Sequence, residues 1–97
     1  MILRIYKVTV PKDLHGEFEE KFKTVAQTLQ TEYEGLLSIE IAGPSKWKPL
    51  EFMMISRWET VAHIKQMAGD NWNEAHIPDH MRKYTMAHSL DHYYLIE

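Results

Sequence analysis

With six histidines, three tryptophans, five tyrosines and no cysteine, any chemistry in this chain rests on imidazole, phenol, carboxylate and guanidinium groups. His76 is the foremost candidate. It follows Trp72 by four positions and precedes Pro78 by two, which puts an imidazole at a helix end beside a broad aromatic side chain. An imidazole titrates close enough to neutral pH to act as a general base. The position equally suits a half-buried histidine hydrogen-bonded to backbone where Pro78 breaks the chain. His76 and His80 have the spacing of a metal pair on one helical face, but Pro78 interrupts the ladder between them. Further ligands would have to come from distant elements, so no metal is expected.

Arg4, Tyr6 and Arg57 lie in apolar stretches, where a charged or phenolic side chain points either into a pocket or into a subunit seam. In the alternative reading the two arginines are structural, with Glu40 and Glu51 as partners from neighbouring strands. Trp58, Met54, Met67 and Trp72 supply the wall of a pocket for a flat hydrophobic or aromatic ligand, and read equally as adaptable core. His88 and His92 fall on one side of the last strand, facing a seam or a pocket mouth. Trp47, between Pro44 and Pro49, suits a rim or a subunit contact, and His15 and His63 read as solvated helix residues.

The elements that must position these groups are legible from periodicity. Ile2 to Val10 is a strand with two largely apolar faces, ended by Pro11. Asp13 can cap a helix whose stripe is Leu14, Phe18, Phe22, Val25, Leu29 and Tyr33. Glu34-Gly35 stops it. Leu36 to Ala42 alternates again, with Leu37, Ile39 and Ile41 on one face, and a turn-rich connection leads to a third strand, Glu51 to Trp58, paired antiparallel with the second. Thr60 caps a short helix through Ala68. Asn71 to His76 reads as a further helical turn, Asp79 to Tyr84 as another, and Met86 to Ile96 as the last strand. The order β-α-β-β-α-β is the ferredoxin-like α+β pattern, with both helical regions on one face of a four-stranded antiparallel sheet.

The 97 residues fit one domain, 1–97. A composition 44% hydrophobic and 26% charged excludes disorder, and the net charge of −3 argues against nucleic-acid or membrane partners. The absence of cysteine removes zinc ribbons, iron–sulfur sites and thiol catalysis, and makes the cytoplasm the expected location. The first apolar run, broken by Arg4 and Lys7, is neither a signal peptide nor a membrane span. Because the uncovered sheet face is too apolar for water, a homodimer through that open face is expected. Covering a few hundred Å² is worth several kcal/mol at about 25 cal/mol per Å².

The strand opening Ile2-Leu3-Arg4-Ile5-Tyr6-Lys7-Val8, the step Tyr33-Glu34-Gly35-Leu36-Leu37-Ser38-Ile39-Glu40, the run Met54-Ile55-Ser56-Arg57-Trp58-Glu59 and the segment Asn71-Trp72-Asn73-Glu74-Ala75-His76-Ile77-Pro78 together resemble the antibiotic biosynthesis monooxygenase family. The resemblance covers essentially the whole chain. It implies ferredoxin-like chains that pair through their sheets into a dimeric α+β barrel. The family includes oxygenases, heme degraders, an isomerase branch and members without known activity. Its heme-degrading branch uses an Asn in the first strand, a Trp on the second helix and a His beyond. Here those places hold Arg4, Tyr6 and Lys7, then Met67, and only His76 agrees.

With no nucleotide fingerprint and no ligand framework for iron, the resemblance implies a cofactor-independent monooxygenase acting with dioxygen on a small aromatic or enolic substrate. His76 would be the base, and Tyr6, Arg4 or Arg57 would serve the reduced oxygen or the substrate's polar end. The alternative is a non-catalytic dimeric barrel that binds a small hydrophobic molecule, with heme degradation and ketose isomerisation further behind.

Overall fold

The computed structural model describes residues 1–75 and 77–96. The chain runs β1 (Ile2–Thr9), α1 (His15–Glu32), β2 (Leu36–Ala42), β3 (Glu51–Trp58), α2 (Val61–Ala68) and β4 (Ala87–Tyr94). Short 3₁₀ segments occupy Lys12–Leu14 and Asp79–Tyr84. The strands form one sheet in the order β2-β3-β1-β4, with every neighbouring pair antiparallel. This is the expected ferredoxin-like α+β fold. Among the described residues, no helix is long and apolar enough to cross a membrane.

Both helices cover one face. α1 lays Phe18, Phe22 and Ala26 on Val8, Val10, Phe52 and Met54, and Tyr84 of the second 3₁₀ segment completes this cluster. Phe18 stacks on Phe22 at 5.0 Å between centroids and tilts against Phe52 at 4.8 Å, which fills the space at this end of the sheet. α2 buries only Ile64, against Ile2 and Trp58. The opposite face of the two central strands presents Leu3, Ile5, Met53 and Ile55, all partly exposed.

Local chemistry explains most boundaries. Gly35, at φ 84°, turns the chain from α1 into β2 in a conformation that side chains disfavour. A side chain there would also strike the ring of His63. Thr60 caps α2 as expected, its hydroxyl accepting the His63 amide at 3.2 Å and lying 2.8 Å from that ring's Nδ1. His63 is therefore held in place rather than solvated. His15 is held as well: its Nε2 donates to the Val10 carbonyl at 2.8 Å and its ring meets Phe52 edge-on.

Three local expectations are corrected. Asp13 does not cap α1, because the chain leaves Pro11 through the 3₁₀ turn and Leu14 takes the cap position with no side-chain bond. Leu37 does not share a face with Ile39 and Ile41. A register shift between Leu36 and Ser38 turns it outward, 50% exposed, and gives Leu36 the place opposite Trp58. The segment after Gly69 forms turns at Asp70–Asn73 and no helix up to Ala75.

Candidate functional site

The register of the central strands sets side chains in rows across the covered face. Trp58 and Tyr94 flank Ile2, Ser56 and His92 flank Arg4, Met54 and Leu90 flank Tyr6, and Phe52 and His88 flank Val8. A polar row thus lies among apolar ones. Above it, between sheet and helices, lies a cavity of about 350 Å³. Its floor is Arg4, Tyr6, Met54, Ser56, Trp58 and Leu90. One wall is α1, through Phe18, Phe22, Val25 and Leu29, and Met67 of α2 is another. Ala75, Ile77, Pro78, His80, Met81 and Thr85 line the remaining side. That volume is at the small end of the ~300–1,000 Å³ usual for small-molecule sites.

Arg4 is the centre of the polar row. Its Nη1 donates to the Trp72 carbonyl at 2.7 Å and to His92 Nε2 at 2.9 Å. The Trp72 ring meets the His92 ring edge-on, 4.8 Å between centroids. Because a guanidinium can only donate, His92 must accept at Nε2 and is neutral in this arrangement. Burial lowers the His92 pKa, the neighbouring Arg4 charge lowers it further, and Asp91 pulls the other way. Burial also lowers the Arg4 pKa and raises that of Tyr6, so Tyr6 presents a protonated hydroxyl to the cavity. Ser56 uses its hydroxyl to accept the Trp58 indole N–H at 3.0 Å, which leaves the indole satisfied inside the core.

Of the residues singled out in the sequence, Arg4, Tyr6, Met54, Trp58 and Met67 meet at this cavity. Arg57 does not join them. It is exposed and lies between buried Ser56 and Trp58, which places it on the opposite face of the sheet. Trp72 stands one layer back, where its backbone oxygen and ring hold Arg4 and His92. His76 lies outside the described residues. Glu40 and Glu51 do not pair with Arg4, since the register sets them beside Ile55 and Thr9. His92 is the residue whose part in the site sequence reasoning missed, leaving it between a seam and a pocket mouth. The signal was its alternation with Leu90 and Tyr94, but only the β1–β4 register brings it to Arg4.

A second polar cluster closes the far side. The hydroxyl of fully buried Tyr84 donates to Glu17 Oε1 at 2.6 Å, and Lys83 reaches the same oxygen at 3.1 Å. These bonds tie the second 3₁₀ segment to α1. The two donors hold the Glu17 carboxyl below its usual pKa range.

The fold has many relatives of low sequence identity. A protein of Deinococcus radiodurans assigned provisionally as an antibiotic biosynthesis monooxygenase superposes with a TM-score of 0.79 at 11% identity, over 100% of this chain and 94% of its own. A Caulobacter crescentus protein with the same provisional assignment gives 0.79 at 15%, over 99% and 90%. The heme-degrader MhuD of Mycobacterium tuberculosis, solved with two hemes in its active site, gives 0.74 at 17%, over 100% and 97%. No curated protein sequence matches. The sequence profile of the antibiotic biosynthesis monooxygenase family matches residues 1–84. With most of its length covered by that match, the chain belongs to the antibiotic biosynthesis monooxygenase family.

Proposed function

We propose that this chain is a cofactor-independent monooxygenase that oxidises a small aromatic or enolic substrate with dioxygen. The observation that carries the reading is the predominantly apolar cavity above Arg4 and Tyr6. An electron-rich substrate that loses a proton can pass an electron to dioxygen itself. Recombination of the two radicals, with return of the proton, gives a hydroperoxide on the substrate carbon. Loss of water from it leaves a carbonyl, so one activated methylene group and one dioxygen yield one carbonyl and one water without an outside reductant. The protein's part is to hold the substrate dry, take the proton and stabilise charge on oxygen. His76 is assigned the proton. Tyr6 donates from its protonated hydroxyl to the reduced oxygen, and Arg4 is the cation that holds the substrate's polar end. His92, its acceptor nitrogen already engaged by Arg4, positions that cation and is not the base.

Heme fits the described residues poorly. Strand β1 carries Arg4, Tyr6 and Lys7 but no Asn, Met67 stands in place of the heme-degrading branch's second-helix Trp, and His76, which agrees with that branch's His, lies outside the described residues. No step is assigned to heme.

The chain is further proposed to act as a homodimer. Leu3, Ile5, Met53 and Ile55 form a half-exposed apolar strip on the open face that a second copy would cover. Sedimentation should give twice the chain mass, and Ile5→Asp should halve it.

Oxygen uptake with anthrone-like and hydroquinone substrates tests the activity. Turnover that falls at least tenfold in both His76→Ala and Tyr6→Phe supports it. Ligand binding without uptake across the panel assigns the cavity to a non-catalytic binding protein.

A further inference from the structure

Arg4 is a partly buried cation that pairs with no carboxylate among the described residues. Its described hydrogen-bond partners, the Trp72 carbonyl and His92 Nε2, are both neutral and both engage Nη1. None of the ion pairs among the described residues includes it. A guanidinium carries five N–H donors, and Nε and Nη2 have no partner among the described residues. No buried side-chain nitrogen or oxygen lacks a partner among the described residues, so these donors reach accessible space. Arg4 lines the cavity, and among the described residues no lysine or second arginine does. Taking an isolated charge out of water is costly unless something compensates it. In this structure the compensation is partial: two neutral acceptors hold the group in place and leave its charge unmatched. The strand register explains why. The neighbours of β1 offer Ser56 and His92 at the level of Arg4, and no acid.

We infer that the cavity selects a planar aromatic monoanion, whose carboxylate or comparably flat anionic group lies against the free edge of the Arg4 guanidinium while its ring fills the apolar space. One cation in an apolar setting matches one negative charge, and a guanidinium edge matches a carboxylate through two parallel N–H···O bonds. A phosphate dianion would leave a charge unmatched. His92 acts as a positioning residue: it fixes Nη1, and so directs the remaining donors. The inference names the substrate class for the oxygenase reading above, but the anion seat stands or falls on binding alone.

The test compares a naphthalene carboxylate with the corresponding carboxamide, which has the same shape and no charge, by titration calorimetry on the full-length protein near neutral pH. A charge-assisted pair of hydrogen bonds is worth ~1.5–3 kcal/mol, so the carboxylate should bind about 10- to 100-fold more tightly. Arg4→Met should abolish the preference, lowering carboxylate affinity far more than carboxamide affinity, and Arg4→Lys should keep part of it. His92→Leu, which removes the acceptor, should reduce the preference without removing it. Equal affinities in the unmodified protein overturn the inference whether or not any variant folds. So does failure of both probes to bind, or a preference that survives in Arg4→Met. A carboxylate preference without oxygen uptake on any substrate would uphold the anion seat and remove the oxygenase reading.

Discussion

The two ends of the covered sheet face are built on opposite principles. Toward Val8 and Val10, α1 and the second 3₁₀ segment press Phe18, Phe22 and Tyr84 onto Phe52, and the aromatic rings interlock, with Phe18 and Phe22 also forming the near wall of the cavity. Toward Arg4, the cover is the short α2 and the irregular chain beyond it, and a cavity remains. One helix of 18 residues can bury its stripe continuously, whereas a helix of 8 residues anchors one side chain and hands the rest to turns. The closed end supplies stability and the open end supplies space, so the site is placed where its looseness costs the fold least.

This contrast can be broken by mutation. Phe18→Ala should lower unfolding free energy by about 3–5 kcal/mol in denaturant titrations, because its almost fully buried ring packs on Phe22, Phe52 and Tyr84 as well as forming part of the cavity wall. Gly35→Ala comes next, at about 1–3 kcal/mol, since it places a side chain in a left-handed conformation and against His63. Met67→Ala at the open end should cost about 1 kcal/mol or less, because a half-buried side chain already bordering a cavity leaves little new emptiness. It should instead widen ligand choice, measured by the affinity of bulkier aromatic probes. A Met67→Ala loss equal to that of Phe18→Ala would erase the distinction.

Acid sharpens the contrast by addressing each end separately. His92 at the open end and Glu17 at the closed end both have folded-state pKa values below their ordinary ones. In both cases the unfolded chain binds the proton more readily, so the stability each contributes is full above its unfolded pKa and is lost as pH falls through the folded one. The His92 contribution should begin to fade below about pH 6.5, and that of Glu17 below about pH 4.3. Thermal melts across pH should therefore show an earlier step absent in His92→Gln and a later one absent in Glu17→Gln.

The strands and the first helix were readable because their boundaries are chemical: Pro11, the Glu34-Gly35 step, Gly43-Pro44 and the Thr60 cap each stop or start the chain for a local reason. The apolar floor of the site, Met54 and Trp58, follows from alternation within one strand. The arginine was harder. Whether Arg4 meets Glu40, Glu51 or His92 depends on register between distant strands, and alternation alone does not fix which residues stand opposite. The outward turn of Leu37 depends on a register shift that leaves no mark in the residue pattern. Arg57 was drawn into the site by its charge alone, although its alternation with Ser56 and Trp58 already set it on the other face.

The three indoles occupy three different environments. Trp58 is completely enclosed beside the cavity, Trp72 is half-covered behind Arg4, and Trp47 stands 77% exposed in a distant loop. The protein thus carries its own optical reporters. A quencher dissolved in water should reach Trp47 and leave Trp58 untouched, while a molecule entering the cavity should alter the emission of Trp58 and spare that of Trp47. With Trp47 replaced by phenylalanine, the remaining fluorescence would report occupancy of the site without any added label.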